Sequence, residues 1–487
     1  MIELARFTAI TGISFVINML LVLVRSKVLA LMLEPEGVGI LAQVNSLEAL
    51  LSAFATAGIG YGITHIISRK LKDEDAERGI SDTIRTGIIL ALLGSAALAI
   101  LLVIISKSLS SILLGSGVYG ILFALLALAL PFKFLASVNN AGLQGLKAIA
   151  PLARVRILTA VLGILCVVPL VYYLGLSGAV VGITSWAAVA SLTSWYYLRR
   201  ERDAHGIISS GRFDSETSAA ALRFSLANLI ILLLNNLALI TIRTQLIHQY
   251  GASANGYYQV VWAMSSQYLI LVSISLWSYS FPHLTELVGQ SALFKLEMKR
   301  ILRLGLLLIG PMAYVIIVGR NFIVKILYSS AFFPSIELIP IQVWGDLFRL
   351  VIWWFELPLM AQGKLRWIVA IEVGRNVTHL LLSSILLPYL GIKGISISYS
   401  LTNLVVAAVV LLLLNKHEAY SLGKSNVLLF GRVFILLAVG MVLPTNRLSG
   451  SILAIIVLIL WTQWVLNRNE RVFLVKFARK AFDSITR

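Results

Sequence analysis

In a chain of 487 residues, 59% of them hydrophobic, a few ionisable side chains stand where the surrounding sequence is apolar. Five are basic, Arg25, Lys27, Lys133, Arg243 and Arg349, and three are acidic, Glu48, Asp346 and Glu356. A charge within hydrocarbon costs about 2.5–3.5 kcal/mol on insertion scales, so such residues are expected to face a cavity or a partner. Cations outnumber carboxylates, and that excess suits an anionic ligand. A guanidinium presents paired N–H donors that match two phosphate oxygens, and an ammonium adds a point charge. Arg25 and Arg243 are candidates to grip a pyrophosphate from two sides, with Lys27 adding charge. Arg25 and Lys27 also lie near one end of a long span, where snorkelling to the interface is the alternative. The three acids are candidates for coupling to an ion.

Two stretches arrange polar residues on a helical face. Gln342, Asp346, Arg349, Trp353 and Glu356 follow at spacings of 4, 3, 4 and 3, the period of one helix face. The expectation is a stripe directed into an aqueous cleft; an Asp346–Arg349 bridge that neutralises itself is the alternative. Asn228 and Asn235, and Asn236 and Arg243, recur at seven residues, which fits either a second polar face or amides cross-linking helices. Asn139, Asn140, Gln144, Lys147, Arg154 and Arg156 gather at a joint between spans. They suit sugar hydroxyls or phosphate at an entrance, or an ordinary basic loop.

The elements that must position these residues are membrane helices. The mean hydropathy is +0.91, and only 13% of residues are charged. Apolar runs of about 20 residues or more recur throughout, enough to cross about 30 Å of hydrocarbon, and only a helix satisfies its own backbone over that distance. The spacing predicts about fourteen spans, near 6–33, 38–68, 82–106, 116–138, 149–174, 176–198, 218–249, 254–283, 301–319, 336–360, 365–389, 393–414, 428–444 and 449–467. The fold class is all-α, with lobes at 1–200 and 217–415, a further pair of helices at 427–467 and an amphipathic basic tail at 468–487. That tail suits an interfacial helix against anionic lipid. The first apolar run is too long, and lacks the small-residue exit, for a cleavable signal peptide.

Loops alternate in charge. "SRKLKDEDAERG", "LRRERDAHG" and "NKHEAYSLGKSN" are basic, whereas "LEPEGVG", "YLGLSG" and "HQYGASANG" carry no Lys or Arg. Of the 40 Lys and Arg, 30 fall on the first side and five on the second, Lys107, Arg320, Lys325, Lys393 and Arg447. This asymmetry predicts a cytoplasmic location for both termini. The net charge of +18 is therefore read as topology and not as a nucleic-acid footprint. The second-side loops stay within about 20 residues, below the size of a folded domain.

An internal repeat is legible. "ARFTAITGISFVINMLLVLVRSKVLALMLEPEGVGILAQV" lies over "LRFSLANLIILLLNNLALITIRTQLIHQYGASANGYYQVV". Arg6 and Phe7 meet Arg223 and Phe224, Arg25 meets Arg243 across one gap, and Gly39 meets Gly256. An even number of intervening spans keeps both copies in one orientation, related by an axis along the membrane normal. Enzyme signals are absent from the sequence. There is no GxxxxGK[ST] loop and no metal-spaced His or Cys cluster, so no cofactor and no ATP-driven chemistry is expected. The single cysteine, Cys166, excludes a disulfide framework and reads as a small buried hydrophobe.

Two blocks carry a family resemblance. "SKVLALMLEPEGVG" running into "ATAGIGYGITHIISRK", and "VWGDLFRLVIWWFELPLMAQGKLRWIVAIEV" with Gly345-Asp346 followed by Arg349, resemble Wzx-type O-antigen and lipid III flippases of the MOP superfamily. The resemblance implies two six-helix lobes, an alternating-access cycle, and an undecaprenyl-like pyrophosphate oligosaccharide as cargo. It gives weight to Lys27 and Asp346, and it implies a multi-pass protein of the inner membrane. Membrane lipids are partners on this reading, with the polymerase and glycosyltransferases of the same pathway as candidate protein partners. The two extra helices depart from the pattern. Fourteen spans also occur in lipid II flippases, where the extra pair can form a groove for the lipid tail, so a peptidoglycan precursor stays open as cargo. A MATE-type drug antiporter is less favoured, because organic cations want an acidic cleft. A membrane glycosyltransferase using Glu34 and Glu36 is a third alternative, and it lacks the large outer loop such enzymes need.

Overall fold

The structure, a computed structural model, describes residues 2–71, 76–204, 211–414, 422–443, 448–467 and 470. The tail read as an interfacial helix lies outside the described residues except for Glu470, as do the side chains of Arg6, Phe7, Arg223 and Phe224. Among the described residues the chain is helical, with no strand. α1 spans Ile2–Ala55, and a π-helical turn, Thr56–Gly60, joins it to α2, Tyr61–Lys70. There follow α3 Ala76–Leu114, α4 Gly120–Ala127, α5 Ala129–Gly145, α6 Ile149–Ala204 and α7 Ser215–Glu286. Then come α8 Ser291–Leu327, α9 Leu338–Ala361, α10 Leu365–Leu390, α11 Lys393–Leu414, α12 Lys424–Val442 and α13 Leu448–Val465. Among the described residues, ten helical segments are long and apolar enough to cross a membrane, and Ser449–Val465 forms a shorter apolar helix. Faces rich in exposed Leu, Ile and Val, such as Leu93, Ile100 and Ile104 on α3, are what a helix presents to lipid. The chain is a multi-pass α-helical membrane protein.

Three of the longest helices break where the sequence places short joints. α1 breaks at Glu34 (φ 55°, ψ −178°), α6 at Gly175 (φ 55°) and α7 at Gly251 (φ 82°). Positive φ is nearly free for glycine, but for Glu34 it costs about 1–3 kcal/mol. Pro35 follows directly and removes a donor that would otherwise continue the ladder.

These left-handed residues reproduce the repeat in backbone form. Glu34 and Gly251 lie 217 residues apart, Lys147 (φ 57°) and Gly363 (φ 68°) 216 apart, and Gly175 and Gly391 (φ 61°) 216 apart. The hydrogen bonds that cap α5 recur after α9. Leu146, Lys147 and Ala148 donate to Gly142, Gln144 and Leu143, while Gln362, Gly363 and Lys364 donate to Pro358, Met360 and Leu359. Both turns close with an αL cap of the kind that ends helices.

The chain packs as two compact units. One comprises Met1–Val260, Lys325–Pro334 and Val369–Ile395, the other Val261–Val324, Ser335–Ile368 and Ser396–Arg487. In the first, Val44, Phe123, Leu126, Leu130 and Val180 are fully buried together. In the second, Leu306, Ile352, Phe355, Val433 and Leu437 are buried, and Trp354 Nε1 donates to Met298 O at 2.7 Å.

Within the first unit the two repeat-equivalent glycines meet. A Cβ on Gly39 would collide with the carbonyl of Ala252, and one on Gly256 with the carbonyl of Pro35. Each glycine thus faces the carbonyl four residues before the other, a reciprocal crossing that only small residues allow. Asn255 Nδ2 donates to Gly39 O at 2.7 Å, and Gln43 Nε2 donates to Thr244 Oγ1 at 2.8 Å beside it.

Candidate functional site

The first unit gathers most of the residues singled out by sequence. Lys133 on α5 projects its ammonium to 2.5 Å from Glu48 Oε1 on α1. Ser52, one turn along α1, donates to the same carboxylate oxygen at 2.5 Å. The guanidinium of Arg25, also on α1, lies over the Trp186 ring, 5.1 Å from its centroid. Trp186 has room for that stack because Gly163 presents no Cβ to it. Arg25 Nε has no hydrogen-bond partner among the described residues. Lys133 and Glu48 form an ion pair, and Arg25 adds a further positive charge to the same unit.

Lys133 also lines a cavity of about 280 Å³, together with Thr56, Gly60, Tyr61, Thr64, Ser137, Asn140 and Gln144. The π-helical turn supplies Thr56 and Gly60; insertions of this type occur often at functional sites because they re-aim neighbouring side chains. Thr64 Oγ1 donates to Gly60 O and Ala141 O, and Ser137 Oγ to Ala55 O. These bonds fix the wall from which the Asn140 and Gln144 amides face the cavity. The result is a polar chamber with one ammonium on its rim.

Two other predicted cations are spent on the protein itself. Lys27 Nζ donates to Lys325 O at 3.0 Å and to Tyr328 O, the carbonyl-rich end of α8, where a cation complements the helix dipole. Arg243 is 1% exposed, donating to Asn255 Oδ1 at 3.1 Å and Gln259 Oε1 at 2.5 Å. Its plane lies over the Tyr258 ring, 5.5 Å from the centroid. The expected pyrophosphate grip by Arg25 and Arg243 thus meets an Arg243 held by neutral amides that also serve the glycine crossing.

In the second unit, Asp346 is fully buried and accepts from three hydroxyls, Ser265 at 2.6 Å, Tyr268 at 2.6 Å and Tyr399 at 2.8 Å. Gly345 makes room for the Tyr399 ring; a Cβ there would meet its Cδ1 at 2.5 Å. Gln342, one turn away on α9, is also fully buried. Arg349 Nη1 lies 3.8 Å from Glu356 Oε1. The stripe expected to line an aqueous cleft is packed at its Asp346 end and half-buried at its Glu356 end. The same unit holds an apolar cavity of about 270 Å³ between α8, α9, α11 and α12, lined by Leu302, Leu306, Phe348, Leu411 and Phe430 among others.

Sequence reasoning missed one polar cluster in the first unit. Glu372, Arg375, Asn376 and His379 of α10 are all buried. Arg375 Nη2 donates to Glu372 at 2.9 Å and to Asn235 Oδ1 of α7 at 2.5 Å, and Asn376 donates to Asn235 at 2.9 Å. The signal is present in the sequence, since the four residues recur at i, i+3, i+4 and i+7 within "EVGRNVTH". A count of loop charge absorbs Arg375 into the basic side and so hides it. Among the described residues no cluster of three His, Cys, Asp or Glu has the geometry to hold a metal ion.

Comparison with known proteins places this architecture. The family described as polysaccharide biosynthesis protein matches residues 28–337. The lipid III flippase of Escherichia coli strain K12 is 24% identical over 408 residues, covering 83% of this chain and 96% of that protein. The fold is similar to an inward-facing multidrug resistance MATE transporter of the MOP superfamily, with a TM-score of 0.72 and 17% identity over 83% of this chain and 95% of that one. It is also similar to the lipid II flippase MurJ in an inward closed conformation, with a TM-score of 0.70 and 13% identity over 94% of this chain and 98% of that one.

Proposed function

Because this chain belongs to the polysaccharide biosynthesis protein family, we propose that it is a flippase for polyprenyl-pyrophosphate-linked oligosaccharide, working by alternating access in the inner membrane. The observation that carries this reading is Lys133, paired with Glu48, lining a cavity walled by amides and hydroxyls. The Lys133 ammonium suits a phosphate, and Asn140, Gln144, Thr64 and Tyr61 suit sugar hydroxyls. The similarity to a lipid III flippase over most of both chains supports the same cargo class.

On this reading the lobes are 1–200 and 217–415, and the repeated left-handed positions mark corresponding joints in each. Counting each broken segment as two crossings and adding Ser449–Val465 to the ten long segments gives the fourteen spans, with both termini cytoplasmic by the positive-inside rule. The apolar cavity walled in part by α12 suits a stretch of prenyl chain. No bond is made or broken, so the protein is a transporter and not an enzyme. Driving force comes from an ion gradient acting through Asp346 and Glu356, or from the membrane potential acting on the substrate charge.

The test is reconstitution. Purified protein in vesicles carrying a fluorescent polyprenyl-diphosphate-linked sugar in one leaflet should move it to the other, and Lys133→Gln should slow that movement at least about tenfold. Equal rates in protein-free vesicles would remove the proposal. The lipid II reading is favoured by the likeness to MurJ over 94% of this chain. A peptide-bearing precursor run beside a purely saccharide one separates the two cargoes.

A further inference from the structure

The two walls of the Lys133 cavity follow different patterns. On α5 the lining residues Lys133, Ala136, Ser137, Asn140, Ala141 and Gln144 are spaced 3, 1, 3, 1 and 3, the uninterrupted stripe of one α-helical face. The other wall is Thr56, Gly60, Tyr61 and Thr64, spaced 4, 1 and 3. An α-helix, at about 3.6 residues per turn, would set Thr56 and Thr64 about 80° apart. Its stripe through Gly60, Tyr61 and Thr64 would instead begin at position 57, an alanine. The π-helical turn Thr56–Gly60, closed by Tyr61 N donating to Thr56 O, absorbs one extra residue. It thereby exchanges a methyl group for a hydroxyl-bearing side chain at the cavity wall.

The turn is keyed at both ends. Ser137 Oγ donates at 3.1 Å to Ala55 O, just before the turn, and Thr64 Oγ1 donates at 3.1 Å to Gly60 O, its last residue. Gly60 leaves Ser137 its place, since a Cβ there would stand 3.0 Å from Ser137 Oγ. The protons of these two hydroxyls serve the backbone. Thr56 is exposed, and its hydroxyl is bonded to no other described residue. We infer that Thr56 contacts a sugar hydroxyl of the cargo and helps to set its specificity, that the π-turn exists to deliver it, and that Ser137 is the positioning residue that holds the turn. The inference rests on the proposed flippase reading. A threonine hydroxyl both donates and accepts, as a sugar hydroxyl does, so the two match in either sense. The alanine of an uninterrupted helix would offer that sugar nothing to bond.

Two deletions of equal size separate the hydroxyl from the shape of the helix. Deleting Ala57 restores an ordinary helical spacing with Thr56 still on the cavity face, whereas deleting Thr56 restores the same spacing with the alanine there. Binding is measured in nanodiscs with two synthetic probes, a prenyl diphosphate bearing one sugar and the same prenyl diphosphate without it. Deleting Thr56, or Thr56→Val, should weaken the sugar-bearing probe by on the order of tenfold and leave the sugar-free probe unchanged. Deleting Ala57, or Thr56→Ser, should hold the sugar-bearing probe within about twofold of the unaltered protein. Ser137→Ala should weaken the sugar-bearing probe in the full-length helix and change nothing once Ala57 is deleted, a dependence that a merely structural serine would not show. Thr56→Val and Thr56→Ser leave the helix intact and decide the matter should a deletion fail to fold. Equal binding of the sugar-bearing probe by Thr56→Val and the unaltered protein, or an equal loss in the two folded deletions, overturns the inference while leaving the flippase reading intact. Failure of the unaltered protein to bind either probe overturns the flippase reading itself.

Discussion

Glu48 and Asp346 are two of the carboxylates among the apolar helices of this protein, and their oxygens are satisfied by different means. Glu48, in the first unit, is held by an ammonium and a hydroxyl, from Lys133 and Ser52. Asp346, in the second, is held by three neutral hydroxyls, from Ser265, Tyr268 and Tyr399. The first arrangement is an ion pair, whose cation can exchange one anion for another. The second has no such exchange among the donors named. A proton on Asp346 would displace one hydroxyl donor, so its network responds to protonation as a whole. The first cluster is suited to ion exchange with a ligand, the second to sensing charge on the acid itself.

Breaking the first cluster should have the largest effect. Lys133→Ala removes the ammonium on the cavity rim and strips Glu48 of its closest partner; export of surface polysaccharide in a complemented cell should fall at least about tenfold, with Lys133→Arg restoring most of it. Asp346→Ala should come next, because three buried hydroxyls lose their acceptor together. A loss of about 3 kcal/mol is expected in detergent unfolding, and Asp346→Asn, which still accepts, should lose less. Tyr399→Phe removes one donor and should cost about 1 kcal/mol in the same assay. The smallest change is a gain. Glu34→Gly places glycine where Gly251 stands in the second copy, and relief of the left-handed strain should add about 1 kcal/mol.

Much of this architecture is legible in the sequence because lipid imposes simple rules. Span length, loop charge and the repeat of Gly39 over Gly256 all follow from hydropathy and small-residue spacing. Charged residues within spans stand out as readily, because charge is rare there. What they touch is not legible. Arg243 and Arg25 occupy matching places in the repeat, yet one is capped by Asn255 and Gln259 and the other lies over Trp186. Periodicity gives the face of a helix but not the identity of what packs on that face. The Arg375 cluster escapes notice for a related reason. Its cation sits in a span that begins with the basic run "KLRW", and charge counting merges the two.

The paired glycines at 39 and 256 carry a mechanical corollary. Where two helices touch through side chains, rotamers flex and the distance between axes can drift by fractions of an ångström. Here main chain abuts main chain, with Ala252 and Pro35 carbonyls against the bare α-carbons, and nothing in the contact is soft. Such a junction has a hard inner limit set by van der Waals radii, and it forfeits about a quarter to a half of its attraction once the two backbones part by about 0.5–1 Å. It therefore acts as a fixed stop on how closely the two helices approach.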